Sequence, residues 1–267
     1  MTTPNNAANT AGSTDSAISL TIGLVLPDVL GTYGDDGNAL VLRQRARMRG
    51  WNAEIIPIKL GEPVPENLDV YTLGGGEDTA QILAAEHLIA DKGLSRAAAA
   101  GRPIFAVCAG LQVLGESFRA SGRIVDGVGL IDATTTPLAK RAIGEVATTP
   151  TRAGITAELT HPLLGFENHM GATILGPSAS PLGQLTRGVG NSDESATADL
   201  ADGATQRRGE GAVQGSVIAT YMHGPALARN PQLADLLLAR ATEQSLQDLA
   251  PLDIGVINKL RSERTRA

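Results

Sequence analysis

The run Pro103-Ile104-Phe105-Ala106-Val107 passes directly into Cys108-Ala109-Gly110, and beyond it Leu111, Val113, Leu114 and Phe118 recur at helical spacing. A short, wholly apolar run is the pattern of a strand buried on both faces. The change of period at Cys108 then sets strand, sharp turn and helix in immediate succession. Such a strand is buried by a sheet with helices on both faces, which commits this part of the chain to an α/β architecture. The upstream sequence repeats the alternation. Residues 18–26 alternate and then become continuously apolar, and residues 53–58 and 68–73 are further short strands. Residues 39–48 and 79–90 have helical spacing, the first with Arg43, Arg45, Arg47 and Arg49 on a solvated side and Gly50 as its terminator. A central, mostly parallel sheet is therefore predicted through residue 119.

Beyond residue 120 the pattern changes to glycine-punctuated short strands, over 129–135, 143–148, 170–175 and 213–221, followed by a helix over 231–245. The polar, Gly/Ala-rich stretch 192–211 reads as a mobile insertion, centred on 195–210. Residues 1–17, rich in Asn, Thr, Ala and Ser, read as a disordered arm without the basic and apolar regions of a signal peptide. The 267 residues thus divide into this arm, one domain over 18–245, and a tail over 246–267 that ends in basic residues.

Charge and cysteine usage exclude several classes of function. Lys and Arg total 22 against 28 Asp and Glu, a net charge of −6, the wrong sign for broad contact with nucleic acid or an anionic membrane. One cysteine excludes an internal disulfide framework and any multi-thiolate metal centre within the chain, so no metal site is expected. No run reaches the length of a membrane span, and a cytoplasmic location is expected.

Three features can carry chemistry. Ala106-Val107-Cys108-Ala109-Gly110 is a small-x-nucleophile-x-Gly turn, in which small neighbours permit a sharp bend and the following helix brings N–H groups toward the sulfur. The alternative for Cys108 is a buried structural thiol. Gly74-Gly75-Gly76 follows an apolar strand and lets bare backbone approach a ligand, with neither the spacing of a P-loop nor that of a dinucleotide fingerprint. Of the four histidines, His87 lies within a predicted helix, and His161 and His169 sit where either can line a pocket. His223 ends the apolar run Val217-Ile218-Ala219-Thr220-Tyr221-Met222 and so faces the crevice at the carboxyl end of the sheet.

The elbow cysteine, the glycine turn before it and the strand-borne histidine after it resemble class I glutamine amidotransferases of the cobyric acid synthase type. Tyr33-Gly34-Asp35-Asp36-Gly37-Asn38, Gly74-Gly75-Gly76-Glu77-Asp78, Gly165-Phe166-Glu167-Asn168-His169, Gly190-Asn191-Ser192-Asp193-Glu194 and Thr220-Tyr221-Met222-His223-Gly224-Pro225 are similar to the GatD-type glutaminase subunits within that class. The resemblance covers roughly residues 20–245 and implies a flavodoxin-like domain that hydrolyses L-glutamine. It implies Cys108 as the nucleophile that forms a thioester and His223 as general acid and base. Backbone N–H groups of Gly75, Gly76 and Ala109 are implied as the oxyanion site, and Arg141 as the residue holding glutamine, with Lys140 as its neighbouring competitor. Gln112 is read as support for the elbow. The implied partner is a MurT-like Mur ligase subunit in a heterodimer, which binds ATP and magnesium and amidates the D-glutamate of lipid II; no cofactor is expected in this chain. Many class I members carry a glutamate two residues after the histidine, but Pro225 stands there. The resemblance to GatD-type subunits implies the acid in trans, as an aspartate of the partner, with Glu167, Asp193 and Glu194 as alternatives in this chain. Two other readings stand beside this one: a glutaminase for another acceptor, such as a corrinoid, and a thiol oxidation sensor on the same fold.

Overall fold

The computed structural model describes residues 18–266, so the arm expected over 1–17 lies outside the described residues. The chain runs β1 (Ser19–Val25), α1 (Pro27–Leu30), α2 (Gly37–Met48), β2 (Asn52–Ile58), β3 (Val70–Leu73), α3 (Asp78–Asp91), α4 (Gly93–Ala99), β4 (Ile104–Val107) and α5 (Ala109–Leu114). It then crosses into β5 (Ser117–Ala120), β6 (Arg123–Asp126), β7 (Ala133–Pro150), β8 (Leu163–Leu175) and β9 (Gly183–Arg187). After α6 (Glu194–Thr197), α7 (Gly203–Gln206) and β10 (Gly209–Glu210) it returns through β11 (Ala212–Gln214) and β12 (Val217–Thr220). It closes with α8 (Ala226–Arg229), α9 (Pro231–Ala241) and α10 (Gly255–Arg266).

The first sheet has the order β11-β12-β4-β3-β1-β2 and is parallel except for the β11–β12 hairpin. Its central strands β3, β4 and β12 are buried at every residue, which is why their sequences show continuous apolar runs, whereas β2 at the edge keeps exposed positions. Helix α2 packs on α8 and α9, and α3 packs on α4 and α5, giving a helical layer on each face. Arg45, predicted on the solvated side of α2, is instead buried, with a two-pronged contact of 2.7 and 2.6 Å to Asp235 of α9. Arg49 reaches the same carboxylate at 2.9 Å. The long apolar stem of an arginine can be buried when its fork is met by a carboxylate, so period alone misplaced this side chain.

The second sheet, of order β10-β9-β7-β5-β6 with β8 paired to β7, is antiparallel apart from the β5–β7 pair. Strand β7 joins the two short runs predicted for 129–135 and 143–148, because a register break between Pro137 and Ala142 interrupts its alternation without ending the pairing, and β8 is longer than the run predicted for 170–175. The run 213–221 divides at Gly215, whose φ of +55° makes the turn between β11 and β12. The stretch read as a mobile insertion is folded: it forms α6, α7 and β10, and ends on the buried side chain of Glu210. Within the tail, residues 255–266 are the helix α10. Among the described residues no helix is long and apolar enough to cross a membrane.

The two sheets meet at His223, whose N–H donates to the carbonyl of Phe166 in β8 at 2.9 Å. Gly74, at the end of β3, is packed so closely that a Cβ there would lie 2.1 Å from the carbonyl oxygen of Leu30. Gly74→Ala is therefore expected to cost about 2 kcal/mol and to lower Tm by about 4–8 °C. Gly255→Ala, where a Cβ would meet nothing within 4 Å, is expected to leave Tm unchanged; calorimetry of both variants checks the contrast.

Candidate active site

Cys108 lies between β4 and α5 with φ 54° and ψ −106°, a conformation that costs a non-glycine residue about 1–3 kcal/mol and persists only where its surroundings enforce it. Those surroundings are visible. The N–H of Cys108 donates to the carbonyl of Thr220 at 2.8 Å, and that of Gly110 to the carbonyl of Gly74 at 3.2 Å. A Cβ at Gly110 would stand 3.1–3.2 Å from Gly74, Ala106 and Leu73, so the small residue after the turn lets α5 lie against β3 and β4.

His223 is held at the end of β12 by its bond to Phe166, and its Nδ1 lies 3.0 and 3.2 Å from the carboxylate oxygens of Asp35. Nε2 has no other hydrogen-bond partner among the described residues and is the ring nitrogen left to interact with Cys108. Burial works against the imidazolium, but the hydrogen bonds and charges of Asp35 and Cys108 outweigh it and His223 is pushed up to about 10. Tyr33 meets the imidazole edge to face, with ring centroids 5.4 Å apart. The Tyr33 hydroxyl donates to Glu77, whose bond and charge, together with burial, push Tyr33 up to about 12.

Asp35 corrects the expectation that the acid facing the histidine comes from a partner. It lies in the loop between α1 and α2, its side chain fully buried, and it supplies that carboxylate from within the chain. None of the alternatives does so. Glu167 accepts the N–H groups of Val189 and Gly190, Asp193 accepts those of Ala139 and Ala196, and Glu194 is exposed on α6. Asp35 also corrects the expectation for Gly75, whose N–H donates to its Oδ2 at 3.1 Å and is no longer available to an oxyanion. The N–H groups of Gly76 and Ala109 have no acceptor among the described residues.

A cavity of about 380 Å³ opens over the sulfur, lined among others by Tyr33, Glu77, Gln112, Arg141, Asn168 and His169. The register break in β7 delivers Arg141 to it, where the guanidinium donates to Asn168 Oδ1 at 3.1 Å; Lys140 is not part of the wall. Gln112 donates to the hydroxyl of Tyr221 at 3.1 Å, bracing the elbow helix against the segment that carries His223. His169 is stacked on Tyr221 at 3.7 Å, with Nδ1 2.9 Å from the carbonyl of Gly171. His87 bonds to the carbonyl of Glu62 and His161 is exposed, both outside the cavity wall. Sequence reasoning thus missed the roles of Asp35, Tyr33, Glu77 and Asn168, although all lie in segments that carried the family resemblance.

The model of the CobB/CobQ-like glutamine amidotransferase domain matches residues 21–231. The chain belongs to that family. It is 32% identical over 238 residues to the lipid II isoglutaminyl synthase (glutamine-hydrolyzing) subunit GatD of Staphylococcus aureus, covering 88% of this chain and 89% of that protein. It is 31% identical over 229 residues to the GatD subunit of Streptococcus pneumoniae, covering 84% and 81%. The cobyric acid synthase of Sphingopyxis alaskensis is 29% identical over 196 residues, which are 70% of this chain but 34% of that enzyme. Among solved structures, a glutamine amidotransferase at 18% identity superposes with a TM-score of 0.51 over 83% of this chain and 98% of its own, which shows the shared fold.

Asp35→Asn removes a charge that favours the His223 imidazolium. The ring is expected to titrate with a midpoint near 10 in the native protein, and about 1 unit or more lower in the variant. Because the native value is raised, the imidazolium persists up to that pH and is lost sooner once the carboxylate is gone. NMR titration of the His223 ring checks this, and an unmoved midpoint would mean that Asp35 does not control it.

Proposed function

We propose that this chain is the glutaminase subunit of a two-protein lipid II isoglutaminyl synthase. The observation that carries the reading is the buried Cys108–His223–Asp35 arrangement, with Cys108 in the wall of a cavity, in a chain that aligns along most of its length with two GatD subunits. The sulfur of Cys108 attacks the carboxamide carbon of L-glutamine, and the N–H groups of Gly76 and Ala109 donate to the oxygen on which negative charge develops. His223, protonated beside the sulfur and steadied by Asp35, gives its proton to the leaving ammonia. It then takes one from the water that hydrolyses the γ-glutamyl thioester, releasing glutamate and restoring the Cys108 thiolate beside the protonated His223. Arg141 holds the α-carboxylate of the substrate through its fork.

Ammonia passes to a Mur-ligase-like partner of the MurT type, in a heterodimer on the cytoplasmic side, where the partner binds ATP and magnesium and amidates the D-glutamate α-carboxyl of lipid II. This chain contributes no cofactor. The partner's place in the scheme is to receive ammonia, with the His223 carboxylate already supplied by Asp35. A corrinoid acceptor is less well supported, since this chain spans about a third of the cobyric acid synthase it matches and nearly nine-tenths of a GatD subunit.

The purified chain is expected to release glutamate from L-glutamine, and Cys108→Ala to abolish that release. When the Mur-ligase-like protein of the same cell, ATP and lipid II are added, isoglutaminyl lipid II is expected by mass spectrometry. Glutamate release without amidated lipid II would retain the glutaminase and discard the acceptor, and no release in any mixture would discard both.

A further inference from the structure

Glutamine is a zwitterion three bonds from its reacting carbon, so a pocket that selects it needs an anionic as well as a cationic contact. The charged side chains on the cavity wall are Glu77, Asp78, Arg119 and Arg141. Asp78 accepts the N–H of Ser121 at 2.6 Å, which ties it to the turn between β5 and β6. Glu77 carries the Tyr33 hydroxyl on Oε1, and its Oε2 has no partner among the described residues. Tyr33 feels the charges of Glu77, Cys108 and Arg141 together and packs its ring on His223. One phenol therefore stands among the sulfur, the base, the arginine and this carboxylate. Glu77 also directly follows Gly76, whose N–H lacks an acceptor, so the oxyanion donor and the carboxylate share one turn at the end of β3.

We infer that Glu77, held by Tyr33, binds the α-ammonium of the substrate and makes the site selective for an α-amino acid amide over the same amide without its amino group. This rests on the glutaminase reading and extends it from reaction to selectivity. The contact is made before and during reaction alike, so its loss acts on KM more than on kcat. Glu77 lies at the exposed mouth of the cavity, where an ion pair contributes modestly.

The test compares L-glutamine with 4-carbamoylbutanoate, which lacks the α-amino group. The native chain is expected to favour glutamine in kcat/KM, and Glu77→Gln to cut that preference about fivefold through KM, equivalent to about 1 kcal/mol. The glutamine side chain still accepts the Tyr33 hydroxyl, so loss of charge is separated from loss of the pocket wall. Glu77→Ala is expected to show the same loss of preference. The rate at which 6-diazo-5-oxo-L-norleucine labels Cys108, relative to iodoacetamide, gives a second readout and is expected to fall in both variants. An unchanged preference in Glu77→Gln, or equal losses on both amides, overturns the assignment while native glutamine hydrolysis leaves the glutaminase standing. If native Cys108 reacts with iodoacetamide but the chain neither turns over glutamine nor takes up the diazo analogue, both readings fall.

Discussion

One buried carboxylate ties together the parts of this site that differ most in sequence position. Asp35 meets the imidazole of His223 with both carboxylate oxygens, and its Oδ2 also accepts the backbone N–H of Gly75. A buried anion is tolerable only when its oxygens are met by donors, and charge-assisted bonds of this kind contribute about 1.5–3 kcal/mol each. The loop between α1 and α2, the turn after β3 and the end of β12 are thereby fixed to one another. The next residues continue the connection, since Asn38 bonds the carbonyl of Asp35 and accepts the N–H of Leu227 beyond the histidine.

The strand β12 is clamped from its other side as well. Glu210 accepts the Thr220 hydroxyl at 2.6 Å and the Tyr221 N–H at 2.8 Å. Burial, opposed by those bonds and aided by the charge of Glu167, pushes its carboxyl up to about 7. Tyr221 in turn meets Gln112 and Thr173, so the residues leading to His223 are bonded to both sheets. The polar stretch that runs through β10 thus ends in a group on which the geometry of the histidine depends, and its composition conceals this because the essential side chain is its last residue.

What was legible in the sequence followed from local physics. The wholly apolar run before Cys108 located β4, the apolar run before His223 located β12, and helical spacing located α2, α3 and α9, whose ends lie within a few residues of the expected ones. The elbow was readable because small residues at fixed offsets are what a bend there requires. Asp35 was not readable, since its partner lies 188 residues away and a loop aspartate has no periodicity that points to a histidine. Arg45 was misplaced because its apolar stem and its carboxylate partner belong to different helices. The continuity of β7 was hidden by the register break, which looks like a strand end in sequence and in the fold delivers Arg141 to the cavity.

The reacting groups and the groups proposed to select the substrate's carboxylate hang from different sheets. Cys108, Gly76 and His223 follow strands of the parallel sheet, whereas Arg141, Asn168 and His169 belong to the antiparallel hairpin of β7 and β8. Backbone contact between the two at this point is the pairing of Phe166 with His223. Side chains of the hairpin that face the cavity can therefore be exchanged while the reacting groups stay in register, so long as the main-chain bond of His223 and the side-chain bonds of Tyr221 across the junction are kept. A division of labour between two sheets of one chain lets the contacts that hold the substrate be tuned without moving the groups that break its bond.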